Sequence, residues 1–146
     1  LHMLRSRRMG HNALIDVHIQ VSPRLSVSEG HHISEAVEQA VIENFEEVND
    51  VTVHIDPEDD EDAPSCKHLP LRDEIVRSLK KGWADHDTFR HIDAVTLHYL
   101  DGYVAVEASL PLHHVSSLEQ TAALQEAFKD SCGTVSCVQD CRLSFH

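Results

Sequence analysis

Between residues 15 and 22 the chain alternates strictly. Ile15, Val17, Ile19 and Val21 are apolar, and Asp16, His18, Gln20 and Ser22 lie between them. Successive side chains of a strand point to opposite faces, so this period of two predicts a strand buried on one side only. Gly10-His11-Asn12 reads as a turn before it, and Met3 to Met9 as the partner strand of a hairpin. Pro23 stops the strand. Ser26 or Ser28 can then cap a helix, and Glu29 stands three residues after Ser26 as a capping box requires. Ile33, Val37, Ala40, Val41 and Phe45 recur at helical spacing up to Asn49-Asp50. Val51, Val53 and Ile55 restore the alternation and predict another strand. The predicted order is ββαβ.

A second series of elements follows an acidic, proline-broken stretch. The run from Asp56 to Asp62 repels itself, and Ala63-Pro64-Ser65 comes next. Residues 59–67 therefore read as a linker between a first part, 1–58, and a second, 68–146. After Pro70, Leu71, Ile75, Leu79 and Trp83 mark a helix. Ile92–Leu100 and Tyr103–Leu110 are predicted strands, joined by the hairpin signal Asp101-Gly102. Ser116 or Ser117 caps a helix through Leu118, Ala122, Leu124, Ala127 and Phe128, and Gly133 breaks it. Val135–Phe145 is the final predicted strand. The order αββαβ repeats the first part with a helix added in front. The fold class is thus α+β, a tandem of small units, each a three-stranded sheet with helices on one face. Leu1–Met9 reads as chain interior, so the expectation is a fragment of a longer protein whose first unit has lost its leading helix.

Composition narrows the function. The 146 residues carry 25 Asp+Glu against 12 Lys+Arg, a net charge of −13. Nucleic acid is excluded as a partner, because its phosphates demand basic surface; such a chain attracts cations. There are 13 histidines, more than Lys and Arg together, and histidine is the commonest metal ligand. Leu1–Met9 does not read as a secretory leader, so Cys66, Cys132, Cys137 and Cys141 are expected as thiols. They lack zinc-knuckle spacing. Cys137 and Cys141, placed on one strand, would stand about 13 Å apart, too far to share an ion.

If the predicted helix covers Ile15, Val17, Ile19, Val51, Val53 and Ile55, the other face carries Asp16, His18, Gln20, Thr52, His54 and Asp56. His54 and Asp56 share that face, and His18 joins them if the two strands are neighbours about 4.8 Å apart. Two imidazoles and a carboxylate make a divalent-metal donor set. The rival reading is a polar sheet face with no ligand.

The stretch from His2 to Glu58 resembles the cytoplasmic C-terminal domain of the cation diffusion facilitator family, the bacterial zinc and ferrous-iron efflux transporters. His2-Met3-Leu4-Arg5-Ser6-Arg7, Asp16-Val17-His18-Ile19, Ser26-Val27-Ser28-Glu29-Gly30-His31, Val37-Glu38-Gln39-Ala40 and Val51-Thr52-Val53-His54-Ile55-Asp56-Pro57 carry the resemblance. It implies a metallochaperone-like (ferredoxin-like) unit that dimerises beneath a membrane domain. It also implies the metal ligands His2, His18, His31, His54 and Asp56, with His31 serving the partner subunit's site and His32 its rival. Zn(II) is the first choice of ion; Fe(II), Cd(II), Co(II), Ni(II) and Mn(II) are compatible with the same donors. The implied partners are a second copy and the chain's own transmembrane domain, with no small-molecule substrate. The implied location is the cytoplasmic face of a bacterial inner membrane, the fragment itself being soluble.

The function so implied is regulation and dimerisation of a proton-coupled metal efflux transporter, a non-enzymatic role. The alternatives are a structural dimerisation module without functional metal and a metal-dependent hydrolase, but no HExxH, nucleophile elbow or phosphate loop supports the latter. The second part departs from the family. It has no His-x-Asp on its last strand, and His98, His113 and His114 read as surface histidines of a degenerate copy.

Overall fold

Four elements build the first sheet and its cover: β1 (Met3–Met9), β2 (Asn12–Gln20), α1 (Val27–Asn44) and β3 (Val48–Asp56). They belong to a computed structural model that describes residues 3–59 and 62–146. His2 of the implied ligand set, and Asp60 and Glu61 of the linker, lie outside the described residues. The chain divides into two compact units, Leu1–Ala63 and Pro64–His146.

In the first unit β1 and β2 pair antiparallel from Met9–Asn12 to Met3–His18. The two-residue turn between them uses Gly10 at φ +66°, a conformation that costs glycine nothing. β2 and β3 are parallel, so the chain must cross over the sheet between them, and α1 is that crossover. Ser26 starts it. Its hydroxyl accepts from the Glu29 amide at 3.2 Å, and the Glu29 carboxylate accepts from the Ser26 amide at 3.1 Å. This reciprocal cap satisfies two orphan donors. α1 lies on the side of Val17, Val48 and Val51, the buried core, with Ala13, Ile15, Ile19, Val37, Val41 and Val53 half-buried around them. Ala40 is exposed and does not join this core. Phe45 leaves it too: it is the C-cap, with extended backbone at φ −134°, so helical spacing no longer aligns it with Val41.

The second unit runs α2 (Arg72–Trp83), a 3-10 turn Asp87–His91, β4 (Ala94–Leu100), β5 (Tyr103–Leu110), a 3-10 turn Leu112–His114, α3 (Leu118–Cys132) and β6 (Val138–Phe145). Its sheet is ordered β4-β5-β6, the counterpart of β1-β2-β3. Asp101 and Gly102 both have positive φ, 51° and 76°, which is what the tight β4–β5 turn needs. Both helices lie on the side of Val104, Val106, Ala108 and Leu110. There Ile75, Leu79, Trp83, Phe89, Leu124, Phe128 and Cys132 complete a continuous core.

Two strands are shorter than their apolar runs suggest. The Ile92 amide donates to the Phe89 carbonyl at 3.2 Å, which extends the 3-10 turn and delays β4 to Ala94. The Val135 amide donates to Cys132 and the Val138 amide to Val135, so β6 starts at Val138. Cys137 therefore precedes the strand, and the strand distance from it to Cys141 does not apply. Leu71 and Leu118 stand at helix starts and are exposed rather than core. The architecture is α+β, with two ferredoxin-like three-stranded units and helices on one face of each.

Candidate metal centre

The open face of the first sheet is fixed by strand parity. Val17, Val51 and their alternates turn toward α1, so His18, His54 and Asp56 turn away. His18 stands directly opposite His54 in the β2–β3 register. Neighbouring strands are about 4.8 Å apart, and the two rings accordingly stack, with centroids 4.4 Å apart and planes 15° from parallel. Asp56 is two residues beyond His54 on the same face. Its Oδ2 lies 2.8 Å from His18 Nδ1. The two side chains are only 21% and 12% exposed, so the pair sits in a shielded corner of an otherwise wet face.

With Nδ1–H donated to the carboxylate, Nε2 is the ring nitrogen through which His18 could hold a metal. A carboxylate behind an imidazole fixes the ring's tautomer and orientation, the usual support of a metal-bound histidine. Asp56 thus has one oxygen engaged by His18.

His31 and His32 are not brought to this pair. Both are exposed on the first turns of α1, where they approach Glu35: His31 Nε2 lies 3.5 Å from Oε1 and His32 Nδ1 4.0 Å from Oε2. The neighbouring Gly30 faces Ile55, on the helix side of the sheet. Among the described residues, no three His, Cys, Asp or Glu side chains form a group that could hold a metal ion as they stand. The donor types nevertheless fit a borderline divalent cation. Within the described part of one chain, His18, His54 and Asp56 supply two imidazoles and a carboxylate that do not form a ligand cage as they stand.

The second unit has its own groupings, which a residue-by-residue reading passes over. The rings of His91 and His114 stack at 3.7 Å, and that of His113 lies 4.0 Å from His114. The signal for this lies in topology: the histidines before β4 and after β5 flank one hairpin. His98 Nε2 lies 3.7 Å from Glu107 Oε2 across β4 and β5. The neighbouring Cys141 together with burial pushes the Cys132 thiol up, and the neighbouring Cys132 draws Cys141 down.

Residues 1–58 match the family model for the cytoplasmic domain of cation efflux proteins. The first unit is a cation efflux cytoplasmic domain. This efflux domain is 46% identical over 56 residues to metal tolerance protein C1 of Arabidopsis thaliana, which is 38% of this chain and 12% of that protein. It is 43% identical over 54 residues to metal tolerance protein 2 of Oryza sativa subsp. japonica, or 37% and 14% of the two chains. The chain therefore spans about an eighth of the length of these relatives. A cadmium form of the MamM CTD, in a variant, shares 30% identity over 39% of this chain and 70% of that one, with a TM-score of 0.37. The family to which the efflux domain belongs is one of transporter domains rather than enzymes. Among the described residues, no helix is long and apolar enough to cross a membrane.

Proposed function

We propose that this chain regulates and dimerises a proton-coupled divalent-cation efflux transporter at the cytoplasmic face of its membrane. The observation that carries the reading is the His18–His54–Asp56 grouping on the open face of a cation efflux domain. His18 through Nε2, His54 and Asp56 are the proposed ligands, with Zn(II) the first choice of ion. His31 is proposed to reach the site of a second copy, and His2 to complete the donor set. A bound cation would offset the carboxylate's charge and bring two copies closer. It can shift that equilibrium only as far as it binds the closer form better. Imidazoles ligate when neutral, so affinity falls as protons compete for them at lower pH. The expected bacterial inner membrane is narrower than the relatives suggest, since both named here are plant proteins.

A structural dimerisation module is the second reading. It is favoured by the lack of a ready three-donor group among the described residues. Sedimentation and small-angle scattering of the full chain, with and without Zn(II), separate the two. The regulatory reading expects a more compact dimer with Zn(II), lost in His54→Ala/Asp56→Ala. An identical dimer in all four samples favours the structural module.

A further inference from the structure

One end of the second sheet collects histidines. Ala94 pairs with Ser109, Ser109 with Ser144, and Leu110 with Phe145. The segments just before β4 and just after β5 and β6 therefore leave the sheet at the same end. His91 closes the 3-10 turn before β4, and His113 and His114 lie in the 3-10 turn after β5. The His91 and His114 rings are stacked at 3.7 Å and 10°, and the His113 ring is tilted 45° at 4.0 Å from His114. His91 and His113 are exposed and His114 half-buried. Asp93 and His146 pair at this same end, Oδ2 to Nε2 3.1 Å.

We propose that His91, His113 and His114 form a second divalent-cation site, one that takes a borderline ion such as Zn(II). Three imidazoles are a sufficient protein donor set for such an ion, with water in the fourth position. The site is not assembled as the rings stand, because flat stacking points the nitrogens of His91 and His114 along parallel planes instead of toward one point. The exposed rings of His91 and His113 have room to change rotamer. The ring contacts bring the three side chains to one place, and the proposed site forms when a rotamer change turns their nitrogens toward one point. The carboxylate of Asp93 adds negative charge at the same end, which draws cations toward it. This site lies in the second unit, outside the residues that match the efflux domain, and does not depend on metal binding by the first.

The test uses the full chain carrying His18→Ala/His54→Ala/Asp56→Ala, titrated with Zn(II) alone against a chromophoric chelator. About one equivalent of Zn(II) per chain is expected to remain bound. Adding His91→Gln/His113→Gln/His114→Gln should abolish that uptake. In the wild-type chain the imidazole NMR signals of these three residues should shift together on Zn(II) addition. No uptake by the first variant, uptake surviving the three glutamines, or unmoved imidazole signals would overturn the proposal. Failure of the first-unit site would look different: the wild type and the first variant would take up equal amounts.

Discussion

The two units share a strand order and differ in what lies over the sheet. In the second, α2, α3 and Phe89 pack on the helix side around a thirteen-residue buried core. The Trp83 and Phe128 rings approach at 5.6 Å, and Phe89 meets Phe128 edge-on at 5.8 Å, a favourable geometry for aromatic pairs. In the first, α1 works alone, and the buried core is Val17, Val48 and Val51. Leu4, Val27, Ile42 and Phe45 stay exposed in the single chain. A unit of about 60 residues is marginal even when well covered. The unit with the unfinished apolar surface is also the one that matches a cation efflux domain and carries the His18–His54–Asp56 grouping. Burial left undone there can be supplied by another surface; the second unit also exposes Leu71, Leu112 and Leu118, but around a much larger closed core.

The sharpest way to break this contrast is to remove one core side chain from each unit. Phe128 is fully buried, and Phe128→Ala should cost about 3–5 kcal/mol. Val17 is the most buried side chain of the smaller core; Val17→Ala removes two methyl groups, about 1.5 kcal/mol. Chemical denaturation with probes in each unit should show two losses of that order. The first unit's transition alone should depend on protein concentration if a second copy covers it. A Val17→Ala loss as large as that of Phe128→Ala would mean that the first core is not the weaker one.

Much of this contrast is legible in the sequence, for identifiable reasons. Strand parity alone puts His18, His54 and Asp56 on one face. Ser26 with Glu29 marks the start of α1, and Asp101-Gly102 marks the second hairpin. Register is different. Nothing in the periodicity says that His18 stands opposite His54 instead of opposite Thr52, and the ring stack follows from that single choice. The hydrogen bond from His18 to Asp56 lies deeper still, since it depends on side-chain reach across two strands. Apolar residues in turns mislead in the other direction. Ile92 and Val135 pack toward the core as a strand residue would, yet their amides close turns. His113 and His114, read singly, are surface histidines; only the antiparallel pairing of β4 and β5 brings them to the same end as His91.

The two hairpin glycines sharpen the comparison at a smaller scale. Gly10 and Gly102 both hold positive φ, so an alanine at either position carries a left-handed penalty of about 1–2 kcal/mol. A Cβ at Gly10 would meet nothing within 4 Å, whereas one at Gly102 would come 3.0 Å from the Pro64 Cβ. Gly102→Ala should therefore cost more than Gly10→Ala, by up to about 1 kcal/mol of added crowding. Equal thermal shifts, once each is referred to its own unit's transition, would show that Pro64 gives way freely.

The smallest expected effect is on pH dependence, and it belongs to the second unit. Packing against its neighbours and the adjoining His113 and His91 hold the His114 imidazole below the ordinary histidine range. The unfolded chain therefore takes up this proton before the folded one does. The stabilising contribution is intact above about pH 6.5, falls as pH drops from there to the folded value, and is flat below it. His114→Asn should flatten that part of the stability profile of the second unit without altering the profile of the first. Imidazole NMR titration reads the shift directly. A His114 signal that titrates at or above the ordinary range would show that the stacked rings do not share an electrostatic environment, and the His91–His114 contact would then be packing alone.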